Sequence, residues 1–316
     1  MKISKIVFMG TPEFSIPSLE TLVNNGYKPV LCITQPDRPK GRKRKLTSPA
    51  VKIAAERFNI KVIQPDDVND EKTIKLLEKI DPQIIITVAF GGYLKKTIRK
   101  LPKFGCINLH PSLLPKYRGS SPINQVFFNN DKTTGCTIFK IVAKMDAGPI
   151  IYQSNTKISE NDYFTSLSEK LSLQGAKDLI SSLRILETND NPYKPQSTVN
   201  VSLCKKIEKD DLLLDWNWKA ETIVNRIRGF AEKPGLTTTF RDKKLKIIEA
   251  IISSERPEHE QGFIYKIEKN IGIYVCGTDR NILIKQLQPA GKKIMDSFAF
   301  HLGHRIKIGE FFRNGF

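Results

Sequence analysis

Gln83-Ile84-Ile85-Ile86-Thr87-Val88 decides the fold of this 316-residue chain. So continuous an apolar, β-branched run reads as a strand buried on both faces, as the inner strands of a parallel sheet are. Upstream, the same reading holds for Lys5-Ile-Val-Phe-Met9, for Val30 to Thr34 and for the short Lys61-Val-Ile63. Helical segments fall between them: Glu13 to Asn25, stopped by Gly26; a second capped and started by Ser48-Pro49 and running to about Phe58; and a third from Asn69 to Lys79. Downstream, Cys106-Ile-Asn-Leu109 and Thr134 to Ile141 read as further strands, and an amphipathic helix from about Asp162 to Leu186 closes the region. Strands alternating with helices predict an α/β domain, its parallel sheet covered on both faces.

The rhythm changes at Glu187-Thr-Asn-Asp-Asn-Pro-Tyr-Lys-Pro-Gln196, a polar stretch that reads as a linker. After one more helix, Ala220 to Arg228, short segments alternate with turn signals: Thr237 to Phe240, Leu245 to Ile252, Gly262 to Ile267, Gly272 to Cys276 and Asn281 to Leu287. These predict a small β-barrel. The expected organisation is therefore a catalytic domain over 1–187, a linker over 188–204 and a second domain over 205–316.

No apolar run approaches the roughly 20 residues needed to span a bilayer. The apolar start Ile6 to Met9 is too short for a secretory signal, so a cytosolic protein with no membrane partner is expected. The cysteines Cys32, Cys106, Cys136, Cys204 and Cys276 are scattered, odd in number and without a CxxC pair. Buried free thiols, with neither disulfides nor a metal site, are the expectation. The net charge is +18; the 21 basic and 15 acidic residues from Lys205 onward leave 30 and 18 before it, so both halves are basic. That favours a polyanionic partner, although a general lysine bias on solvated faces gives the same excess.

Ligands of open parallel sheets bind at the carboxyl ends of the strands. One such end is Cys106-Ile-Asn-Leu-His-Pro-Ser-Leu-Leu-Pro-Lys-Tyr-Arg-Gly-Ser-Ser-Pro-Ile-Asn124. Asn108 and His110, two apart on a strand, project from one face, and Leu109 from the other. A second candidate end is Lys144-Met-Asp-Ala-Gly-Pro149, whose Asp146 reaches His110 if the two strands are neighbours. Amide, imidazole and carboxylate together suit acyl transfer to an amine. The first two can donate to a developing oxyanion, and the carboxylate can orient the imidazole and take the proton the amine loses. Taken singly, each residue fits an ordinary structural role equally well.

Together, Asn108-Leu-His110-Pro-Ser-Leu-Leu-Pro115, Arg118-Gly119, Pro122-Ile123 and Asp146-Ala-Gly148 resemble the signature of the folate-dependent formyltransferase family. Gly10-Thr-Pro-Glu-Phe14, Gln35-Pro-Asp-Arg-Pro39 with Gly41-Arg42, and Leu287-Gln-Pro-Ala-Gly-Lys-Lys293 narrow the likeness to members that formylate methionyl-tRNA. The resemblance covers essentially the whole chain. It implies a Rossmann-like catalytic domain, a C-terminal tRNA-binding barrel of OB type, 10-formyltetrahydrofolate as donor, and initiator methionyl-tRNA as acceptor for translation initiation. It also implies that Asn108, His110 and Asp146 are catalytic. No metal is implied, and a monomer is expected. The family's Asn-Pro-Trp-Pro-like segment is replaced here by Gly229-Phe-Ala-Glu-Lys-Pro-Gly235, which leaves the adjoining barrel surface open.

For the donor, Thr87-Val-Ala-Phe-Gly-Gly-Tyr93 offers backbone to the pterin edge and Phe90 as a wall; a plain glycine turn between strand and helix is the alternative. The resemblance implies donor contacts at Phe90, Gly91, Gly92 and Tyr93 and at Ser112, Leu113, Leu114 and Pro115. For the acceptor, Arg38, Lys40, Arg42, Lys43, Arg44 and Lys45 place six basic residues in eight positions between a strand end and a helix. Two prolines and a glycine are expected to keep this loop out of regular structure. It is longer than a strand–helix connection needs, which favours phosphate contacts over a merely solvated run. The family's corresponding loop enters the acceptor stem, with Arg42 at its critical arginine. Lys205, Lys206 and Lys209 line the same path or form ordinary surface. The rival acceptors are small amines such as glycinamide ribonucleotide or an amino sugar nucleotide; the rival from another class is a tRNA-binding module without catalysis.

Overall fold

The computed structural model describes residues 2–40, 45–232 and 234–316. In chain order, β1 (Ile6–Gly10) leads through α1 (Ile16–Asn24) to β2 (Leu31–Ile33). A ribbon of β3 (Arg38–Lys40) and β4 (Lys45–Thr47) follows, then α2 (Ala50–Arg57), β5 (Val62–Ile63), α3 (Glu71–Ile80) and β6 (Ile84–Val88). Next come α4 (Lys96–Lys100), β7 (Cys106–His110), β8 (Arg118–Gly119), α5 (Pro122–Phe128), β9 (Thr133–Lys140), β10 (Ile150–Lys157), α6 (Phe164–Thr188) and β11 (Leu203–Cys204).

The main sheet runs β10-β9-β7-β6-β1-β2-β5. Its five strands from β7 to β5 are parallel, as the apolar runs predict. The central β6 is buried along its length, as are β1 beside it and β2 beyond β1. On one face, α6 approaches β7 so closely that a Cβ on Gly175 would lie 2.5 Å from Leu109 Cδ1. Leu109 thus points away from Asn108 and His110, as the strand period requires.

Three expectations are corrected. First, β9 is antiparallel to β7, and β10 to β9. No helix joins β9 to β10, and a parallel return needs a crossover of a dozen residues or so. Second, the described ends of the basic stretch are not irregular: β3 and β4 pair antiparallel, with Pro39 opposite Leu46. Proline is tolerated in such an isolated two-stranded ribbon. Third, Ser48 does not cap α2; its hydroxyl donates to Asp37 Oδ2 at 3.1 Å. All five cysteines are buried and free, and burial pushes the Cys32 and Cys106 thiols up to about 12.

The chain forms two compact units. The first holds the main sheet, and the second holds Lys205–Phe316 together with Ile123–Lys132 and Ile158–Leu167. In the second unit, α7 (Ala220–Phe230) precedes β12 (Leu236–Phe240), β13 (Lys243–Ile252), β14 (Ile264–Glu268), β15 (Gly272–Val275), β16 (Ile282–Pro289), β17 (Met295–Asp296), α8 (Ser297–His304) and β18 (Phe312–Arg313). The sheet order is β14-β15-β16-β13-β12-β18, and it curls until its edges meet. Ile264 N donates to Glu310 O at 2.8 Å, and Phe312 N to Gly262 O at 2.9 Å. Closure of this kind removes exposed strand edges. The interior holds Trp216, Ile223, Ile247, Ile273, Ile284 and Phe312, and Trp216 Nε1 donates to Thr238 Oγ1 at 3.0 Å. Phe230, inside the stretch that departs from the family motif, is wholly buried in this core.

Two earlier segments complete the second unit. Asn124 Nδ2 donates to Gly229 O at 2.7 Å, and the Phe128 and Phe230 rings lie 5.0 Å apart. The Arg228 guanidinium donates to the carbonyls of Asp162 and Ser159 at 2.9 and 2.7 Å.

Candidate active site

Strand pairing aligns Thr87 of β6 with Asn108 of β7. The Thr87 hydroxyl donates to Asn108 Oδ1 at 2.6 Å. With its oxygen so engaged, the carboxamide presents Nδ2, which has no protein partner among the described residues. Thr87, taken only as part of a buried run in the sequence, thereby fixes which end of Asn108 faces outward.

His110 ends β7 and is 4% exposed. Its Nε2 lies 2.8 Å from the carbonyl oxygen of Tyr117, which can only accept, so this nitrogen carries a proton. Nδ1 faces Asp146 Oδ2 at 3.8 Å, too far for a hydrogen bond and close enough for strong charge interaction. Burial drives the imidazole below its ordinary pKa of 6.5, and the Asp146 charge opposes that shift. Near neutral pH, His110 is therefore an uncharged base with its Nδ1 lone pair toward the carboxylate. The sequence had cast the imidazole as an oxyanion donor. The Tyr117 carbonyl claims the proton that role requires.

Asp146 arrives by a route the sequence did not show. Because β9 is antiparallel, its last residue Lys140 lies opposite Ile107, near the start of β7. The loop 141–149 must therefore return toward His110. Three residues hold it there. Gly119 N donates to Asp146 Oδ2 at 2.8 Å; Gln196 Nε2 donates to the carbonyls of Asp146 and Gly148 at 2.8 and 2.7 Å; and the Tyr93 hydroxyl lies 3.5 Å from Ala143 O. Asp146 itself adopts a left-handed φ of 47°, an uncommon conformation for a residue with a Cβ. Gly148 packs so tightly that a Cβ would overlap the Lys140 carbonyl.

The stretch read as a linker belongs to the first unit and lines this loop. Ile150 and Lys194 exchange backbone hydrogen bonds at 2.7 and 2.8 Å. β11 pairs in parallel with β8, Cys204 opposite Gly119. At Gly119, with φ 127°, any Cβ would strike the Cys204 carbonyl. Nothing in the composition of Glu187 to Gln196 announced these contacts, since they are made mostly by backbone and by one carboxamide.

This geometry stands beside what is known of other proteins. The Formyl transferase family matches residues 4–183, and its C-terminal domain matches residues 206–305. The chain belongs to the formyl transferase family. The methionyl-tRNA formyltransferase of Syntrophus aciditrophicus is 40% identical over 304 residues, 96% of this chain and 97% of that one. That of Bacillus subtilis is 39% identical over 308 residues, covering 97% of each. Among solved structures, WlaRD, a sugar 3N-formyl transferase in the presence of dTDP and 5-N-formyl-THF, superposes with TM-score 0.62 at 22% identity, covering 93% of this chain and 100% of that one. HypX from Aquifex aeolicus in complex with tetrahydrofolic acid gives TM-score 0.67 at 13% identity, covering 98% of this chain and 49% of that one. Identities this low speak to a shared fold.

In this formyl transferase the turn after β6 is opened by left-handed Ala89 and Gly91, and nothing lies within 4 Å of where a Gly91 Cβ would point. Gly91, Gly92 and Tyr93 are exposed, whereas Phe90 is buried in the sheet core with Val7, Met9, Ile33 and Leu94. Phe90 thus backs the turn from inside, and its carbonyl is taken by Thr11 Oγ1 at 3.1 Å. In the other predicted donor segment, Ser112 and Leu114 are buried and Leu113 and Pro115 half-buried. Ser112 Oγ donates to Lys116 O at 2.7 Å, and Gln153 Nε2 to Leu114 O at 3.0 Å. Among the described residues no cluster of His, Cys, Asp and Glu could hold a metal ion, and no helix is long and apolar enough to cross a membrane.

Of the predicted RNA-facing residues of this formyl transferase, Arg38 and Lys45 are exposed on the ribbon and Lys40 lies in β3. Arg42, Lys43 and Arg44 fall outside the described residues. Lys205, Lys206 and Lys209 are exposed at the start of the second unit. The ribbon has a built root: the Asp37 carboxylate accepts from Ser48 Oγ at 3.1 Å, Lys52 Nζ at 3.0 Å and Gln64 Nε2 at 2.6 Å. These bonds, that from Gln64 foremost, hold the Asp37 carboxyl below its ordinary pKa.

Proposed function

We propose that this chain transfers the formyl group of 10-formyltetrahydrofolate to the amino group of initiator methionyl-tRNA in the cytosol, acting as a monomer. The observation that carries the chemistry is the outward-facing Asn108 Nδ2 beside the facing pair of His110 Nδ1 and Asp146 Oδ2. The residues present fit the donor: a carbonyl oxygen needs a preorganised N–H, which Asn108 offers, and a planar ring needs accessible backbone, which Gly91 and Gly92 offer.

The bound donor supplies a formyl carbon that the acceptor amine attacks, and the rest of the chemistry falls to side chains of this protein. Asn108 Nδ2 donates to the formyl oxygen as charge gathers there. His110 Nδ1 takes the proton lost from the attacking nitrogen. The imidazolium so formed faces the Asp146 carboxylate and is stabilised by it. From Nδ1 the proton returns to the departing nitrogen of the donor.

The acceptor reading rests on the basic ribbon. It follows β2, at the end of the sheet where β6 and β7 also end, and methionyl-tRNA formyltransferases about 40% identical span nearly this whole chain. The test compares formyl transfer to methionyl-tRNA, free methionine, glycinamide ribonucleotide and an amino sugar nucleotide. Arg42, Lys43, Arg44 and Lys45 are then replaced together by alanine. Each duplex phosphate neutralised contributes about 0.9 to the log–log salt slope of binding. KM for methionyl-tRNA should rise and its salt dependence flatten, with the KM for folate unchanged. A small amine preferred over methionyl-tRNA, or an unchanged salt slope, sinks the acceptor assignment.

A further inference from the structure

Gln196 lies in a polar stretch with no chemical motif, yet all of its hydrogen-bonding capacity is used at the active site. Its Oε1 accepts from Arg118 Nε at 3.1 Å and Arg118 Nη2 at 2.7 Å. Its Nε2 donates both hydrogens, to Asp146 O and Gly148 O. A carboxamide has two donors and an oxygen with two lone pairs, so nothing is left over.

The identity of the residue carries the argument. Arg118 is 7% exposed and forms no ion pair among the described residues. Charge alone would favour a glutamate at position 196, since charge-assisted hydrogen bonds to guanidinium are about twice as strong as neutral ones. A glutamate, however, has no hydrogen to give to the carbonyls of Asp146 and Gly148. It would also set a second negative charge beside Asp146. What the carboxamide adds is a pair of donors to the loop 141–149, whose strand delivers it to the wrong end of β7.

We propose that Gln196 is a positioning residue: it clamps the loop 141–149 to Arg118 and so holds the Asp146 carboxylate against His110 Nδ1. The clamp is anchored at both ends. Lys194, two residues earlier, pairs with Ile150, and the Tyr193 hydroxyl donates to Phe104 O at 3.1 Å. Arg118 is itself fixed to the segment by its N–H, which donates to Ser202 O at 2.9 Å. This proposal rests on the functional reading above.

The test uses the full-length protein with Gln196→Ala and Gln196→Glu. The glutamate variant keeps the length and the Arg118 contact, loses the two donors and adds a carboxylate beside Arg118, so its kcat carries the test if the alanine variant does not fold. Misplacing a catalytic group by about 1 Å can cost about 10²-fold. We expect kcat to fall at least about tenfold in both variants, with KM for folate and for methionyl-tRNA unchanged. A purely structural role would not move a second readout, the His110 titration followed by NMR in the unliganded protein. His110 faces one carboxylate, Asp146, with the Tyr117 carbonyl and the Phe139 ring as its other close neighbours. Release of Asp146 removes the charge that opposes the effect of burial, so His110 should titrate at lower pH in the alanine variant; in the glutamate variant the added carboxylate offsets part of this fall. Folded variants with wild-type kcat and an unmoved His110 titration overturn the clamp. A wild-type protein with no transfer to any acceptor overturns the functional reading instead, and the titration still decides the clamp.

Discussion

Thr87→Val is the sharpest probe of how the site is built. The change replaces a hydroxyl by a methyl at a position 5% exposed, so shape is nearly kept. What disappears is the donor 2.6 Å from Asn108 Oδ1. A hydrogen bond of this kind contributes about 0.5–1.5 kcal/mol net, and that is also the bias keeping Oδ1 inward and Nδ2 outward. Removing about 1 kcal/mol of bias changes the ratio of the two amide orientations about fivefold. Complete loss of an oxyanion donor sets the ceiling, about 10²–10³ in rate. Removing the whole bias leaves the two orientations about equally populated, so Thr87→Val should lower single-turnover formyl transfer about twofold, far less than Asn108→Ala, with KM unchanged. Thr87→Ser should restore most of the rate. Because the orienting effect of Thr87 on the site runs through Asn108, its other contact being the Ile107 carbonyl at 3.2 Å, the double variant should be no slower than Asn108→Ala alone. A folded Thr87→Val with full rate, or additive losses in the double variant, refutes the orienting role.

Other outcomes follow from the same geometry. Burial holds His110 below its ordinary range, so its own titration, followed by NMR in the unliganded protein, should lie below 6.5 and move lower still in Asp146→Asn; a His110 titration at or above 6.5 contradicts its role as an uncharged base near neutral pH. The same shift makes stability greatest above pH 6.5 and erodes it as pH falls through that value, because the unfolded chain takes up the proton first; His110→Gln should flatten this part of a denaturant-midpoint profile. Asp37→Ala releases the root of the ribbon, so KM for methionyl-tRNA should rise while kcat at saturating tRNA holds; an unchanged KM removes the anchoring role. Gly148→Ala forces a Cβ into the Lys140 carbonyl, which should destabilise by about 1–3 kcal/mol in chemical denaturation and lower kcat as the Asp146 loop shifts.

What the sequence disclosed and what it hid separate along physical lines. Short continuous apolar, β-branched runs such as Ile84 to Val88 suit inner strands, and the segments from Leu236 to Pro289 are short and bounded by turn signals, so both architectures were legible. Strand direction was not legible, because β9 has the same apolar character whichever way it runs. β10 was missed because Gln153 to Lys157 is polar on an edge strand. Asn108 and His110 were found through the strand period, which is local. Asp146 was connected to them on a premise the structure replaces, since it reaches His110 by a returning loop. Gln196 and Thr87 were invisible for a related reason. Each acts on a partner far away in sequence, and neither residue type signals chemistry by itself. Ser48 was misjudged because Asp37, eleven residues earlier, outcompeted the helix terminus for its hydroxyl.

The threading of the second unit has a consequence for synthesis. Phe127 and Phe128 reach their final neighbours only when α7 exists, and 88 positions separate Lys132 from Ala220. A ribosome adding about 5–20 residues per second needs roughly 4–18 s to close that interval. Throughout it the two phenylalanines, and from about residue 167 onward the segment Ile158–Leu167 as well, lack the contacts they finally make with α7. The main sheet can be complete by then, so an unfinished apolar face is held open on an otherwise folded body. An exposed apolar face of this kind is what holdase chaperones bind and what drives association between nascent chains. A message truncated anywhere before codon 220 would leave that face uncovered for the lifetime of the product.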